Sequence, residues 1–150
     1  MNRIEKIYQT LRNKYNCPKG QWELWCKRPK TEKERQEVII ESVLTQRTNW
    51  KNVELAMSNL KKTKNNSLKK ICQLGVKKLA PLIKPSGFYK TKAKYLCNLS
   101  RFIIKKYGSI KKMKRAGIEE LRNELLNQKG IGQETADSIL LYGLDKPIFV

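Results

Sequence analysis

The chain has 150 residues, which suits one domain, and 39% of them are hydrophobic, enough for a modest core. Only 8 glycines and 5 prolines occur, so the composition excludes a low-complexity or disordered chain. With 33 Lys and Arg against 13 Asp and Glu, the net charge is +20, which favours nucleic acid as the partner. The alternatives are an anionic membrane surface, packing within a ribosome, or a lysine-rich composition without functional meaning.

No run of about 18 apolar residues is present, so no membrane span and no membrane partner are predicted. The segment from Met1 to Tyr15 alternates charged residues with isolated apolar ones and lacks the apolar core of a signal peptide. We therefore expect an intracellular, cytoplasmic protein that is associated with the nucleoid.

The first predicted elements are two helices separated by an aromatic segment. Helical spacing of apolar residues predicts a helix from Ile4 to Tyr15, and the segment from Asn16 to Lys30, which carries two tryptophans, is predicted to be a loop. Thr31 and Glu34 have the spacing of a capping box, which opens an amphipathic helix. That helix is expected to end near residues 46–48.

The middle of the chain is predicted to be helical as well. Asn49 is expected to cap a helix that carries Val53 and Leu60, and Ser67 a short helix through Leu74. The other predicted elements, in chain order, are a short helix from Val76 to Ile83, a turn at Pro85-Ser86-Gly87 and a long helix from Lys90 to Tyr107, which Gly108 ends.

The C-terminal part is predicted to form two helices around a hairpin. The helices are expected at Ile118–Asn127 and Glu134–Tyr142, and the sequence Lys129-Gly130-Ile131-Gly132-Gln133 lies between them. Only residues 147–150 suggest a strand. The prediction is therefore one all-α domain over residues 1–150, a multi-helix orthogonal bundle or barrel with a helix–hairpin–helix at about residues 118–143.

The hairpin has the composition of a phosphate-binding turn. Gly130 and Gly132 allow a tight turn and close approach of another molecule, and the N–H groups that open the next helix would face an anion. Ile131 is expected to anchor the hairpin in its own helices, and Lys129 adds positive charge. The alternative is an ordinary turn between two helices.

The four cysteines do not suggest a metal site. Cys17, Cys26, Cys72 and Cys97 form no C-x-x-C pair, and the chain has no histidine to complete a zinc site. We interpret them as reduced thiols, and no metal ligand is predicted. The absence of histidine also excludes catalysis by Ser-His-Asp or Cys-His groups.

Three stretches together resemble the endonuclease III superfamily of helix–hairpin–helix DNA glycosylases. The hairpin and the residues after it, 130–141, are similar to the hairpin of that superfamily. Residues 43–50, Val-Leu-Thr-Gln-Arg-Thr-Asn-Trp, resemble its helix–loop–helix with a DNA-inserting glutamine. Residues 83–93 resemble its I-x-x-x-G-F-Y-x-x-K-A turn into a long helix. The three motifs follow the order of the superfamily.

The resemblance implies roles for individual residues. It implies contacts with double-stranded DNA that holds a damaged base, made by Gln46, Lys129, Gly130, Ile131, Gly132, Gln133 and Thr135. Gln46 matches the wedge that fills the gap left by a flipped nucleotide; taken by itself it could be a polar residue at a helix end, but the surrounding match favours the wedge. Trp50 and Trp25, with Glu134, match a base pocket in which aromatic faces attract a cationic alkylated purine. Both tryptophans could instead belong to the core, and Trp22 matches less well than either.

Glu134 stands where the bifunctional members of the superfamily have a lysine that forms a Schiff base. A carboxylate cannot do so, and the resemblance therefore implies a monofunctional glycosylase acting on alkylated purines. The catalytic aspartate of the superfamily would fall about two residues past Val150. The chain itself therefore offers no catalytic residue, and an iron–sulfur cluster is expected only if a C-terminal segment exists.

Two other functions remain open at this point. The chain could be a DNA-binding module without enzymatic activity, or part of a split enzyme whose C-terminal segment is supplied in trans. The apolar end Ile148-Phe149-Val150 is compatible with a truncated chain, a split enzyme or a degenerate protein. A bifunctional glycosylase and lyase is disfavoured by Glu134.

Overall fold

A computed structural model describes all residues from Met1 to Val150 and contains nine α-helices and no strand. The helices are α1 (Arg3–Tyr15), α2 (Gln21–Trp25), α3 (Glu32–Leu44), α4 (Trp50–Lys62), α5 (Leu68–Leu82), α6 (Tyr89–Lys106), α7 (Ile110–Met113), α8 (Ile118–Leu126) and α9 (Gln133–Ser138). A 3-10 turn (Lys84–Ser86) precedes α6, and a π-helical turn (Ile139–Gly143) continues α9. The predicted all-α class is confirmed.

The centre of the bundle is α3, which is buried on almost every side. Nine of its residues are buried, and four of them, Ile39, Ile40, Val43 and Leu44, belong to one core cluster of 27 residues drawn from α3 to α9 and the turns between them. A helix that is apolar on most faces can be stable only when other helices surround it. The predicted capping box opens α3, because Thr31 accepts a hydrogen bond from the Glu34 amide and Glu34 from the Thr31 amide.

The predicted caps of the next helices are also present. The Asn49 side chain accepts a hydrogen bond from the Asn52 amide at the start of α4. The Ser67 side chain accepts one from the Lys70 amide at the start of α5. Within α5, Gly75 has φ of 77°, so two helical segments meet there at a kink. The two short helices predicted on either side of this glycine are therefore correct in substance.

Three predictions about local structure were wrong. Residues 21–25 form a helical turn inside the segment predicted as a loop, since Trp22 and Trp25 pack against each other and against Tyr142. The four-residue helix α7 was missed; the Glu32 carboxylate accepts from its first two amides. Residues 147–150 form no strand, because no other extended segment lies beside them to accept their hydrogen bonds.

Helix α1 lies at the periphery of the molecule. Its N-cap is Asn2, and none of its residues is buried. The α6 helix, by contrast, packs along α5 and contributes seven buried residues. No helix of the molecule is both long and apolar enough to cross a bilayer.

Candidate functional site

The hairpin between α8 and α9 is built around one glycine in a left-handed conformation. Gly130 has φ of 83°, and a Cβ atom at this position would lie 2.1 Å from the Tyr95 ring. The Ile131 side chain is buried in the core, as predicted, and its amide donates to the carbonyl of Gln128 at 3.1 Å. Tyr95 and Ile131 therefore hold the turn from two sides.

Gly132 opens α9 in an extended conformation, with φ of −88° and ψ of −177°. No side chain caps this end of the helix, and open space surrounds Gly132. The first amides of α9 consequently face solvent, as a phosphate-binding turn requires.

A groove of about 860 Å³ runs beside the hairpin. All of the predicted DNA-binding residues line it: Gln46, Lys129, Gly130, Ile131, Gly132, Gln133 and Thr135. Glu134 lines it as well, in the first turn of α9, where a carboxylate interacts favourably with the helix dipole. The tertiary structure thus brings the glutamine of one predicted motif to the hairpin of another.

The Gln46 side chain is docked on the hairpin. Its amide nitrogen Nε2 donates to the carbonyl oxygen of Gly130 at 3.0 Å and to Thr135 Oγ1 at 3.1 Å. The side chain is half-buried near the start of the loop that follows α3. The role of Gln46 as a wedge stays a prediction, but its position in the groove is compatible with that role.

Lys92 is a groove residue that the sequence interpretation did not single out. The side chain is 2% exposed, and its ammonium donates to the carbonyl oxygens of Leu44 at 2.7 Å and Ser86 at 2.6 Å. Burial lowers the pKa of Lys92 to about 8. Lys92 therefore ties the end of α3 to the 3-10 turn, and the signal for it was the lysine within the quoted G-F-Y-x-x-K-A pattern.

Phe88 was also quoted within a motif without being assigned a role. It lines the same groove, is 65% exposed and has φ of 46°, a left-handed conformation that is rare for an aromatic residue. A strained, exposed aromatic side chain beside a basic groove is a feature of functional surfaces.

The tryptophans of the predicted base pocket form an aromatic cluster. The Trp25 ring lies 5.8 Å from Trp22, 6.2 Å from Trp50 and 5.3 Å from Tyr142, measured between ring centroids. Trp25 is only 2% exposed, whereas Trp22 is exposed and Trp50 half-buried. Neither Trp25 nor Trp50 is among the residues that line the groove, whereas Glu134 is, and the shared base pocket stays a prediction. Tyr142 was missed because no local pattern marks it.

A buried carboxylate lies behind this cluster. Trp25 Nε1 donates to Glu41 Oε2 at 2.7 Å, and both side chains are buried. Burial raises the pKa of Glu41 to about 7, against the opposing effect of the Trp25 hydrogen bond, and the nearby Glu37 raises it further. Glu41 therefore changes charge near neutral pH.

The two aspartates near the hairpin are both engaged in ion pairs. Asp137 accepts from Arg122 at 2.7 and 3.2 Å. Asp145 lies 2.7 Å from Arg28, 2.6 Å from Arg35 and 3.2 Å from Lys114. Burial alone would raise the pKa of Asp145, but its bonds to Arg35 and Lys114 outweigh this and lower the pKa. The first pair joins α8 to α9, and the second network ties residue 145 to the rest of the bundle. Neither aspartate was assigned a catalytic role.

Side chains that could hold a metal do not come together. No group of three or more His, Cys, Asp or Glu side chains lies within reach of a common ion. The cysteines are free thiols, of which Cys17 and Cys26 are exposed and Cys97 is buried.

The helical bundle, the glycine hairpin and the groove between them define a helix–hairpin–helix protein. The model of the HhH-GPD superfamily of base excision DNA repair proteins matches residues 40–146. The chain belongs to this superfamily.

Individual relatives agree with this membership. A protein of Methanocaldococcus jannaschii that is assigned to the DNA repair glycosylases is 43% identical over 149 residues, 98% of this chain and 64% of that protein. Endonuclease III of Thermotoga maritima is 33% identical over 110 residues, 73% of this chain and 48% of that enzyme. The chain thus spans between about half and two thirds of the length of these relatives.

One solved structure extends the likeness to three dimensions. It is the crystal structure of H. pylori 3-methyladenine DNA glycosylase bound to 1,N6-ethenoadenine. The TM-score is 0.77 at 37% sequence identity, and the match covers 98% of this chain and 66% of that enzyme.

Proposed function

We propose that the chain is the DNA-binding and base-recognition part of a monofunctional DNA N-glycosylase that removes alkylated purines. The observation that carries this proposal is the match, over 98% of the chain and at 37% identity, to an enzyme named for 3-methyladenine. The exposed amides and the lysine of the hairpin supply the phosphate contacts that position such an enzyme on a duplex. A protein with this function would act at the chromosome, in the cytoplasm of a prokaryote.

Glu134 supports the monofunctional class. It lies in the groove beside Thr135, at the start of α9, and a carboxylate has no amine with which to form a Schiff base. Lys129 also lines the groove, but it precedes the glycine turn and does not take the motif position. Water would therefore be the nucleophile.

The aromatic cluster supports a cationic purine as the substrate. The exposed face of Trp22 and the half-buried Trp50 flank the fully buried Trp25. Aromatic faces attract a cation by about 0.5–2 kcal/mol each, so they would favour a methylated purine over a neutral base.

The chemical step needs a carboxylate, and none of the described residues is assigned to that role. By the superfamily pattern an aspartate would follow Val150 and would stabilise the positive charge that develops on the sugar. It would be supplied by a C-terminal segment, either in the same polypeptide or in trans.

The test is release of 3-methyladenine from methylated duplex DNA. The chain is assayed alone and after extension with the part of the M. jannaschii relative that the match leaves out. We expect release by the extended protein, little release by the chain alone, and no borohydride-trapped adduct from either. No release by an extended protein that is folded and binds DNA would disprove glycosylase function, and a trapped adduct would disprove the monofunctional class.

A second function is favoured by one observation. The hairpin and the groove lie in a chain with a net charge of +20, which suits binding to a duplex without base chemistry. The chain could therefore act as a DNA-binding module alone. That function predicts duplex binding with a steep salt dependence and no base release from the extended protein.

A further inference from the structure

The Gln46 amide is held in one orientation. Gly130 offers a carbonyl oxygen, which can only accept a hydrogen bond, so the NH₂ end of the Gln46 amide must face it. The second proton of that NH₂ group points to Thr135 Oγ1. Both donors are therefore used within the protein, and the Oε1 oxygen has no protein partner in the groove.

Rigid elements hold the two acceptors. Thr135 is buried in the first turn of α9, and Gly130 is fixed in a tight turn against the Tyr95 ring. Reversal of the amide would place Oε1 against the carbonyl of Gly130, and two acceptors repel each other. The hairpin thus determines which end of the Gln46 amide faces outward.

We propose that Gln46, positioned by Thr135 and Gly130, offers only a hydrogen-bond acceptor to the unpaired base opposite the lesion. This acceptor favours thymine or guanine opposite the lesion over adenine or cytosine. The inference rests on the proposed function, in which Gln46 enters the gap left by a flipped nucleotide.

The chemistry of the bases explains the preference. The central position of the Watson–Crick edge is an N–H donor in thymine and guanine, and a lone-pair acceptor in adenine and cytosine. An amide free to turn could pair with either kind, whereas a fixed acceptor binds the first and repels the second. Damaged adenine normally stands opposite thymine and damaged guanine opposite cytosine, so the arrangement directs the protein to lesions derived from adenine.

The experiment measures binding, so that it does not depend on excision. The probe is a duplex with a tetrahydrofuran abasic analogue placed opposite each of the four bases, titrated with the chain at one salt concentration. We expect binding about tenfold tighter opposite thymine and guanine than opposite adenine and cytosine, the size of one buried hydrogen bond satisfied or lost.

Three variants separate positioning from mere folding. Thr135→Val removes one acceptor while keeping the shape of the side chain, and the preference should fall only in part, because the Gly130 carbonyl still faces the NH₂ group. Thr135→Ser keeps the hydroxyl and should retain the preference. Gln46→Met keeps the length of the side chain but loses both amide groups, and its binding should not vary with the opposite base.

Several outcomes would overturn the inference. These are equal binding to the four duplexes by the unsubstituted chain, no tighter binding to the abasic than to the intact duplex, or a preference that persists in Gln46→Met. These failures can be distinguished. If the extended protein releases 3-methyladenine but binds equally well opposite all four bases, only this inference is overturned. A preference without base release overturns only the proposed glycosylase activity.

Discussion

At the scale of single residues, the two glycines of the hairpin have different tasks. Gly130 has positive φ, and a tyrosine ring occupies the place where its Cβ would lie. Glycine is therefore required at position 130 by the protein's own packing. Gly132 has φ of −88° and empty space around it, so a side chain there would meet only an approaching molecule. The sequence interpretation treated both glycines alike, and only the tertiary structure distinguishes them.

A pair of alanine substitutions tests this distinction. Gly130→Ala should lower the free energy of unfolding by about 2–4 kcal/mol, because it combines a left-handed conformation with overlap against Tyr95. Gly132→Ala should leave stability within about 0.5 kcal/mol but weaken binding to duplex DNA, since its methyl group faces the groove. Urea unfolding and DNA titration measure the two effects. Equal destabilisation by both substitutions would contradict the assignment.

Glu41 makes stability depend on pH in a predictable direction. Its pKa in the folded protein is about 7, above the ordinary 4.5, so the folded state holds its proton where the unfolded state loses it. Stability from this group is therefore present below pH 4.5 and is lost as the pH rises to about 7. The other charged groups that influence it are Glu37, Glu54 and Lys61.

The Glu41→Gln variant should remove this dependence while its side-chain oxygen still accepts the Trp25 hydrogen bond. Relative to the unsubstituted protein, the variant should gain up to about 3 kcal/mol in stability as the pH rises from 4.5 to 8. Urea unfolding of both proteins across this range measures the difference. A difference that stays constant with pH would show that Glu41 titrates normally.

At the scale of elements, Asp145 is the junction that holds the end of the chain to the bundle. It lies beyond the π-helical turn and pairs with Arg28, Arg35 and Lys114, which belong to three separate parts of the structure. Arg28 and Arg35 also donate to the carbonyls of Leu141 and Gly143 in that turn. The direction in which the chain leaves the π-helical turn therefore depends on this network.

Replacing Asp145 with asparagine should lower the free energy of unfolding by about 2 kcal/mol, because three cations lose their counter-ion in a partly buried network. The matched control is Glu120→Gln. Its carboxylate is exposed and lies 3.9 Å from Lys106, so its loss should cost less than about 0.5 kcal/mol. Urea unfolding at neutral pH compares the two variants, and equal costs would show that Asp145 is not a junction.

At the scale of the whole molecule, the net charge of +20 governs association with DNA. Each phosphate neutralised contributes about −0.9 to the slope of log K against log salt concentration. The Lys129→Gln variant should flatten that slope by about 1, because this side chain lines the groove. Lys6→Gln is the control, since α1 contributes nothing to the groove and its slope should not change. Titrations at several salt concentrations measure the slope of each variant. If Lys129→Gln has the same slope as the unsubstituted chain, Lys129 does not contact a phosphate.

The sequence alone determined the helices that begin at a side-chain cap and the position of the hairpin. Caps such as Thr31, Asn49 and Ser67 act on amides three residues away, and a glycine turn acts over five residues, so both can be found in the local sequence. The short helices α2 and α7 could not be found in this way, since α2 depends on the ring of Tyr142 and α7 on the carboxylate of Glu32.

Only the tertiary structure decided how the predicted site is assembled. The Gln46 amide is 84 residues from the Gly130 carbonyl that orients it, and Arg28 is 113 residues from the Leu141 carbonyl that it binds. Such contacts depend on how helices pack in space, which no local pattern encodes. The sequence thus identified the hairpin and the glutamine, and the packing of α3 against α9 determined that the hairpin orients the glutamine.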